Sequence, residues 1–140
     1  IGLDIRLFIA DLSPLAEYED YADIADELKD FKKVFINAKI LEESGEEWKF
    51  NEGCLSIPDI REDVKRKETI VIEYYDENFV KHTETFSDMR ARVIQHEYDH
   101  IEGILFTDHL SSLKKKLVKG KLVKISHGDV AVNYKMRFPK

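Results

Sequence analysis

The feature that most constrains the fold is a helix pattern over residues 87–102 that carries two histidines four positions apart. Ser87 suits the N-terminus of this helix, and Gly103 suits the position at which it stops. His96 and His100 recur at helical spacing with apolar residues, so we expect both imidazoles to point inward on one face. The apolar residues that share this face are Met89 and Val93.

The order His96-Glu97-x-x-His100 predicts a metal-binding helix with a catalytic carboxylate. One helical turn brings the two imidazoles side by side, so both can reach a single metal ion. Glu97 is not needed for binding, and it is placed to move a proton from a metal-activated water to a leaving amine. A buried histidine pair without a metal would instead have to satisfy four ring nitrogens, which is costly. The pattern therefore indicates a metal-dependent amide hydrolase.

A third protein ligand is needed, because catalytic zinc-type sites use three protein ligands and leave one position for water. The extended pattern His-Glu-x-x-His-x-x-Gly-x-x-His fails here, since Phe106 stands where the last histidine would be. A downstream glutamate is excluded as well, since no Glu follows Glu102. Cys54 is the one cysteine of the chain, and Gly53 beside it permits close backbone approach. We therefore predict that the Cys54 thiolate is the third ligand.

The remaining patterns favour an α+β fold, with antiparallel sheets packed around the central metal-binding helix and a C-terminal helix. Alternating apolar residues predict strands at residues 6–11, 33–40, 68–75 and 78–86. Residues 110–125 form the predicted C-terminal helix, and residues 130–134 could add a strand. Ser44-Gly45 predicts a turn, and Pro58 predicts the end of a short loop or edge segment that begins at Glu52. The acidic residues 13–30 predict a surface insertion with some helix.

The composition narrows the classes of partner. A chain of 140 residues is most simply one catalytic domain, residues 1–140. Its net charge of −6 argues against broad nucleic-acid binding, although the lysines of residues 114–124 form either a solvated helix face or a local contact with RNA or an acidic partner. No apolar run spans a membrane and no secretory signal is visible, and a single cysteine fits a reducing compartment. We expect a cytoplasmic protein without membrane contact.

Two segments resemble signature motifs of the peptide deformylases. They read Glu-Gly-Cys-Leu-Ser at residues 52–56 and Gln-His-Glu-Tyr-Asp-His at residues 95–100. They occur in the family's order with strands between them, and the likeness runs to about Leu117 and is closest to the Bacteroidetes type. The resemblance implies an enzyme that removes the N-formyl group from the N-formylmethionine of newly made proteins. Its partners would be N-formylmethionyl nascent peptides, with a contact to the ribosome.

The resemblance also implies roles for particular residues. Cys54, His96 and His100 would hold one divalent metal ion, Fe²⁺ natively, with Zn²⁺ or Ni²⁺ in preparations. Glu97 would act as general base and then general acid, and the backbone N–H of Leu55 would donate to the oxyanion. The substrate peptide and its methionine side chain would contact Gly53, Leu55, Ile57, Met89 and Val93. The surrounding support would come from Glu52 paired with Arg66, and from Gln95 and Asp99.

One family motif falls outside the sequence. The first motif, Gly-x-Gly-x-Ala-x-x-Gln, supplies a glutamine that completes the oxyanion hole, and Ile1-Gly2 stands where this motif would end. We therefore expect the motif and an N-terminal helix to lie upstream of residue 1. Two alternatives remain open: another metallohydrolase with the same ligands, which would act on unblocked or acetylated peptides, and a non-enzymatic relative that keeps a metal for folding. Glu97 argues against the second, since a structural metal site does not need it.

Overall fold

Four β-strands and three α-helices form the main elements of the computed structural model, which describes residues 3–138. The strands are β1 (Leu7–Asp11), β2 (Lys32–Cys54), β3 (Ile57–Tyr75) and β4 (Lys81–Ser87), and they pair in the order β1-β2-β3-β4. The helices are α1 (Ala25–Leu28), α2 (Asp88–Ile101) and α3 (Ser112–Ser126), with short 3-10 turns at Ser13–Glu17, Glu19–Tyr21 and Phe106–His109. The predicted α+β class, with antiparallel pairing and a C-terminal helix, is confirmed.

The described residues divide into two compact units. Unit 1 comprises residues 3–47 with Lys67–Ile104, and unit 2 comprises Trp48–Arg66 with residues 105–138. Strands β2 and β3 each contribute residues to both units. This division leaves the single catalytic domain a prediction. None of the helices in the described part of the chain is long and apolar enough to cross a membrane.

The core of unit 1 is aromatic. Phe8 on β1 pairs with Phe35 on β2, and their rings stack with centroids 4.7 Å apart. Tyr74 on β3 lies 4.4 Å from Phe35 by ring centroids, and α2 packs against β1 and β4. The acidic insertion contributes Leu28, which is fully buried, while its charged residues remain exposed. Side chains alternate in direction along each strand, so the apolar ones on one face of the sheet form the surface against which α2 packs.

The core of unit 2 is aliphatic. It joins the start of β3 to α3 and to the 3-10 turn between the helices, through Ile57, Ile60, Val64, Phe106, Leu110, Val118 and Ile125. Cys54 and Val130 pack against this cluster from its partly buried edge. Phe106, which closed the third-histidine route in the sequence, is a core residue with 1% exposure. Unit 2 therefore anchors both the end of β2 and the chain beyond α3.

Three expectations about local structure were wrong. The turn predicted at Ser44-Gly45 is absent: β2 continues through Gly45, which takes a φ of +79° inside the strand. Pro58 does not stop a short segment, because β3 starts at Ile57 and runs unbroken to Tyr75. The strand considered at residues 130–134 does not form, and this stretch is irregular. Ile1 and Gly2, assigned to the end of the upstream motif, lie outside the described residues.

Candidate functional site

Helix α2 in unit 1 brings the two predicted histidine ligands together. The rings of His96 and His100 have centroids 5.0 Å apart and planes at 90° to each other. Both residues are half-buried, as is Glu97 between them. Two imidazoles on successive turns, partly screened from water, form the kind of pair that a single metal ion bridges.

Hydrogen bonds fix the register of α2 against the sheet of unit 1. The Gln95 side chain is buried, and its Nε2 donates to the carbonyl oxygen of Lys67 at 3.0 Å and to that of Ala91 at 3.1 Å. Gln95 therefore fastens to β3 the turn of α2 that carries His96. The support of the metal site that the family resemblance assigns to Gln95 stays a prediction.

The C-terminal end of α2 is fixed by Arg6. Its guanidinium donates to the Ile101 carbonyl at 3.4 Å and to the Ala38 carbonyl at 3.2 Å, and it pairs with Glu102 at 2.5 Å. This hydrogen bond holds the pKa of the Glu102 carboxyl below its usual range. Burial, helped by Glu102, raises the pKa of Tyr98. Both ends of the His96–His100 segment are thus tied to the strands of unit 1.

The start of α2 shows how the predicted inward face is used. Ser87 occupies the cap position, but its hydroxyl lies 3.0 Å from Thr69 Oγ1 and makes no capping hydrogen bond. Met89 is 5% exposed and Val93 is half-buried. Met89 therefore contributes to the core of unit 1, and the part of both residues in binding a methionine side chain stays a prediction.

The cysteine segment lies at the turn between β2 and β3 in unit 2. Cys54 ends β2, Leu55 and Ser56 form the turn, and β3 begins at the next residue. Leu55 is 76% exposed, so the turn lies at the surface of unit 2. A side chain on Gly53 would place its Cβ 2.8 Å from Arg61 Nη1. The glycine therefore leaves room for the end of the Arg61 side chain, a neighbour that the sequence pattern does not indicate.

A buried ion pair lies beneath this turn. Arg66 Nε donates to Glu52 Oε1 at 2.7 Å, and Arg66 Nη2 donates to Glu52 Oε2 at 3.1 Å. The two side chains are 5% and 4% exposed. The contact expected between these residues is present. Its two parallel hydrogen bonds join β2, two residues before Cys54, to β3.

An open groove of about 830 Å³ runs along the cysteine segment within unit 2. Its lining comes from two stretches of the chain, residues 53–61 without Ser56 and residues 131–134. The two stretches touch where the Tyr134 hydroxyl donates to the Leu55 carbonyl at 2.8 Å. Nothing in the sequence pattern places these C-terminal residues beside the cysteine turn, so this wall was missed.

The side-chain chemistry fits a divalent metal ion. The predicted ligands are one thiol, that of Cys54 in unit 2, and two imidazoles, those of His96 and His100 in unit 1. One thiolate and two imidazoles suit Fe²⁺, Zn²⁺ and Ni²⁺ better than Mg²⁺ or Ca²⁺, which take oxygen ligands.

Comparisons with known proteins agree with these features. The family model for polypeptide deformylase matches residues 1–116. The peptide deformylase of Christiangramia forsetii is 61% identical over 140 residues, which are 99% of this chain and 71% of that protein. That of Flavobacterium johnsoniae is 59% identical over 139 residues, with coverages of 99% and 71%. The predicted likeness to Bacteroidetes enzymes is confirmed.

A solved structure extends the agreement to the fold. A peptide deformylase from Plasmodium falciparum superimposes with a TM-score of 0.73 at 30% identity, covering 96% of this chain and 72% of that one. The sequence match runs through the cysteine turn and the histidine helix alike. With its motifs, its fold and its nearly complete alignment in accord, the chain belongs to the polypeptide deformylase family, whose members are hydrolases that remove a formyl group.

Proposed function

We propose that this chain is the catalytic part of a metal-dependent hydrolase that removes the N-formyl group from the N-formylmethionine of newly made proteins. One observation carries the proposal: a helix fixed at both ends presents His96, Glu97 and His100 within a chain of the deformylase family. The substrate is the formylated N-terminus of a nascent peptide, and the products are formate and a free amino terminus.

We propose that Cys54, His96 and His100 hold one divalent metal ion. The native ion is Fe²⁺, and Zn²⁺ or Ni²⁺ replaces it in preparations. A bound ion of this kind lowers the pKa of a water molecule and so supplies a nucleophile at neutral pH. The donor set supports the proposal, because thiolate and imidazole select transition metals over the hard cations.

Glu97 moves the proton in this reaction. Its carboxylate takes a proton from the water that attacks the formyl carbon, and it then donates that proton to the amine nitrogen as the C–N bond breaks. The position of Glu97 depends on α2, which Gln95 and Arg6 fix to the sheet of unit 1. A carboxylate fixed in this way needs little reorganisation before it accepts the proton.

The turn after Cys54 binds the substrate backbone. The N–H of Leu55 donates to the oxyanion that forms on the formyl oxygen, and Gly53 and Leu55 hold the peptide in an extended pose. The methionine side chain contacts Ile57, Met89 and Val93. The Glu52–Arg66 pair supports the turn, while Gln95 and Asp99 support the histidine helix.

A substrate panel tests the reaction assignment. The full-length protein should hydrolyse formyl-Met-Ala, and it should leave acetyl-Met-Ala and unblocked Met-Ala unchanged. A larger acyl group would have to fit where a formyl group binds, and an unblocked amino terminus carries no acyl group to remove. Hydrolysis of acetylated peptides at a similar rate would indicate a different amide hydrolase.

Elemental analysis tests the ligands separately from turnover. Cys54→Ser and His96→Asn should each lose most of the bound metal, while His127→Asn should retain it, because His127 lies at the exposed end of α3. Protein purified without oxygen should contain iron. Full metal content in Cys54→Ser would overturn the ligand assignment.

We further propose that the enzyme works in the cytoplasm and contacts the ribosome through the lysine-rich face of α3. Most of these lysines are exposed, whereas Lys114 pairs with Glu62 at 2.6 Å. The contact should therefore depend on Lys115 and Lys119. Charge reversal at both should weaken cosedimentation with ribosomes at low salt, and unchanged cosedimentation would refute the contact.

A further inference from the structure

The irregular segment after α3 makes three contacts within unit 2. Val130 packs against the aliphatic core, and the Tyr134 hydroxyl donates to the Leu55 carbonyl. The Phe138 ring lies against Gly128, where an added Cβ would approach it to 3.1 Å. The segment therefore returns on itself and presents residues 131–134 as one wall of the groove.

Tyr134 links this wall to the turn that binds substrate in the proposed function. Tyr134 is 37% exposed, so it lies at the surface of unit 2. Its hydroxyl reaches a carbonyl 79 positions earlier in the chain. One hydrogen bond thus restrains the peptide unit that follows Leu55 and also fixes the far wall of the groove.

The chemistry of the groove suits an extended peptide. Its lining includes the small or apolar residues Ala131 and Val132 and the charged residues Asp59 and Arg61. Arg61 is fixed by Asn51, whose Oδ1 accepts from Arg61 Nε at 3.0 Å. In one groove, a carboxylate can accept hydrogen bonds from the N–H groups of a peptide backbone, and a guanidinium can donate to its C=O groups.

We propose that residues 131–134 form the wall that binds the residues following formylmethionine, and that Tyr134 is a positioning residue for this part of the substrate. The proposal rests on the proposed function, because it extends the peptide path from Leu55 into the groove. It predicts a dependence on substrate length: Tyr134 matters for peptides that reach the wall and not for a single blocked methionine.

The test compares Tyr134→Phe in the full-length protein with two substrates, formyl-Met amide and formyl-Met-Ala-Ser. KM for the tripeptide should rise about threefold to tenfold, the range expected for one lost neutral hydrogen bond. The kcat for both substrates and KM for the amide should stay within twofold. Tyr18→Phe is the matched control, because it removes a hydroxyl from an exposed tyrosine in unit 1. Equal effects on the two substrates, or none, would overturn the proposal.

A binding measurement separates this proposal from the reaction itself. The product peptides Met amide and Met-Ala-Ser can be titrated by NMR without turnover. The wild type should bind the tripeptide more tightly, and Tyr134→Phe should lose that advantage. If the wild type hydrolyses no formyl peptide yet shows this dependence, the proposed function fails and the groove assignment stands. Equal affinity for both peptides in the wild type would contradict the groove assignment.

Discussion

Replacing Arg66 by methionine should cause one of the largest losses of stability available in this chain. The substitution keeps much of the side-chain volume but removes the guanidinium that contacts both carboxylate oxygens of Glu52. Both side chains are at most 5% exposed, so water cannot readily replace the lost partner. Breaking a buried pair by removing one member costs about 3–5 kcal/mol.

Urea denaturation of the full-length protein measures this cost. With a slope of about 2 kcal/mol per molar urea, the unfolding midpoint should fall by roughly 1.5–2.5 M. Arg66→Lys keeps the charge but loses the planar, two-pronged contact, so its midpoint should fall by less. Lys29→Met is the control: Lys29 pairs with Asp26 on the surface, where the side chains are 57% and 94% exposed. Its midpoint should barely change.

The same substitution reports on the cysteine turn. Because Glu52 lies two residues before Cys54, release of its carboxylate should loosen the turn and weaken metal binding by roughly 10- to 100-fold. Dialysis against a chelator followed by elemental analysis would measure this effect. If Arg66→Met unfolds no earlier than Lys29→Met, the pair is solvated in solution, and the reasoning from burial is refuted.

Three further substitutions concern two glycines and one carboxylate. Gly45→Ala should destabilise the protein by about 1–2 kcal/mol, because its φ of +79° is unfavourable for alanine and a Cβ would lie 2.4 Å from Glu68 Cγ. Gly120 lies on the exposed face of α3 with open space around it, so Gly120→Ala should stabilise the protein by roughly 0.5–1 kcal/mol. Equal urea midpoints for Gly45→Ala and Gly120→Ala would contradict both predictions. Burial alone would raise the pKa of Glu84, but the hydroxyl of Tyr74 and a lysine outweigh it, and the pKa is lowered. The ionised carboxylate therefore stabilises the fold above its ordinary pKa of 4.5, and this stabilisation is lost as the pH falls through the lower pKa of the folded state. Glu84→Gln should therefore lose less stability on acidification than the wild type.

The sequence predicted best the elements whose local signals agree with their surroundings. Helix α2 has apolar residues at helical spacing, and its stop was predicted at Gly103. In the structure the helix ends at Ile101, and Gly103 follows with a φ of +74°. Family membership followed from two short motifs, because thiol and imidazole at those positions have few other uses. The Glu52–Arg66 contact was also foreseen, but only through the family resemblance and not from spacing.

The errors arose where one residue type permits two structures. Gly45 was assigned to a turn because glycine favours positive φ, yet the same freedom lets β2 continue through it. The valines near residue 130 favour a strand locally, but Val130 packs into the core of unit 2 instead. Arg92 is 2% exposed, and a charged residue in a helix gives no sign of such burial. Long-range packing decided all three positions.

The most direct test of a metal-dependent deformylase is Glu97→Ala in the full-length protein, assayed with formyl-Met-Ala and analysed for metal. The variant should retain the metal of the wild type, because Glu97 is not a ligand in this account. Its kcat should fall by about 10²- to 10⁴-fold, the usual contribution of a general acid–base group. Near-normal turnover with full metal content would contradict the role given to Glu97, and loss of the metal would contradict the ligand set.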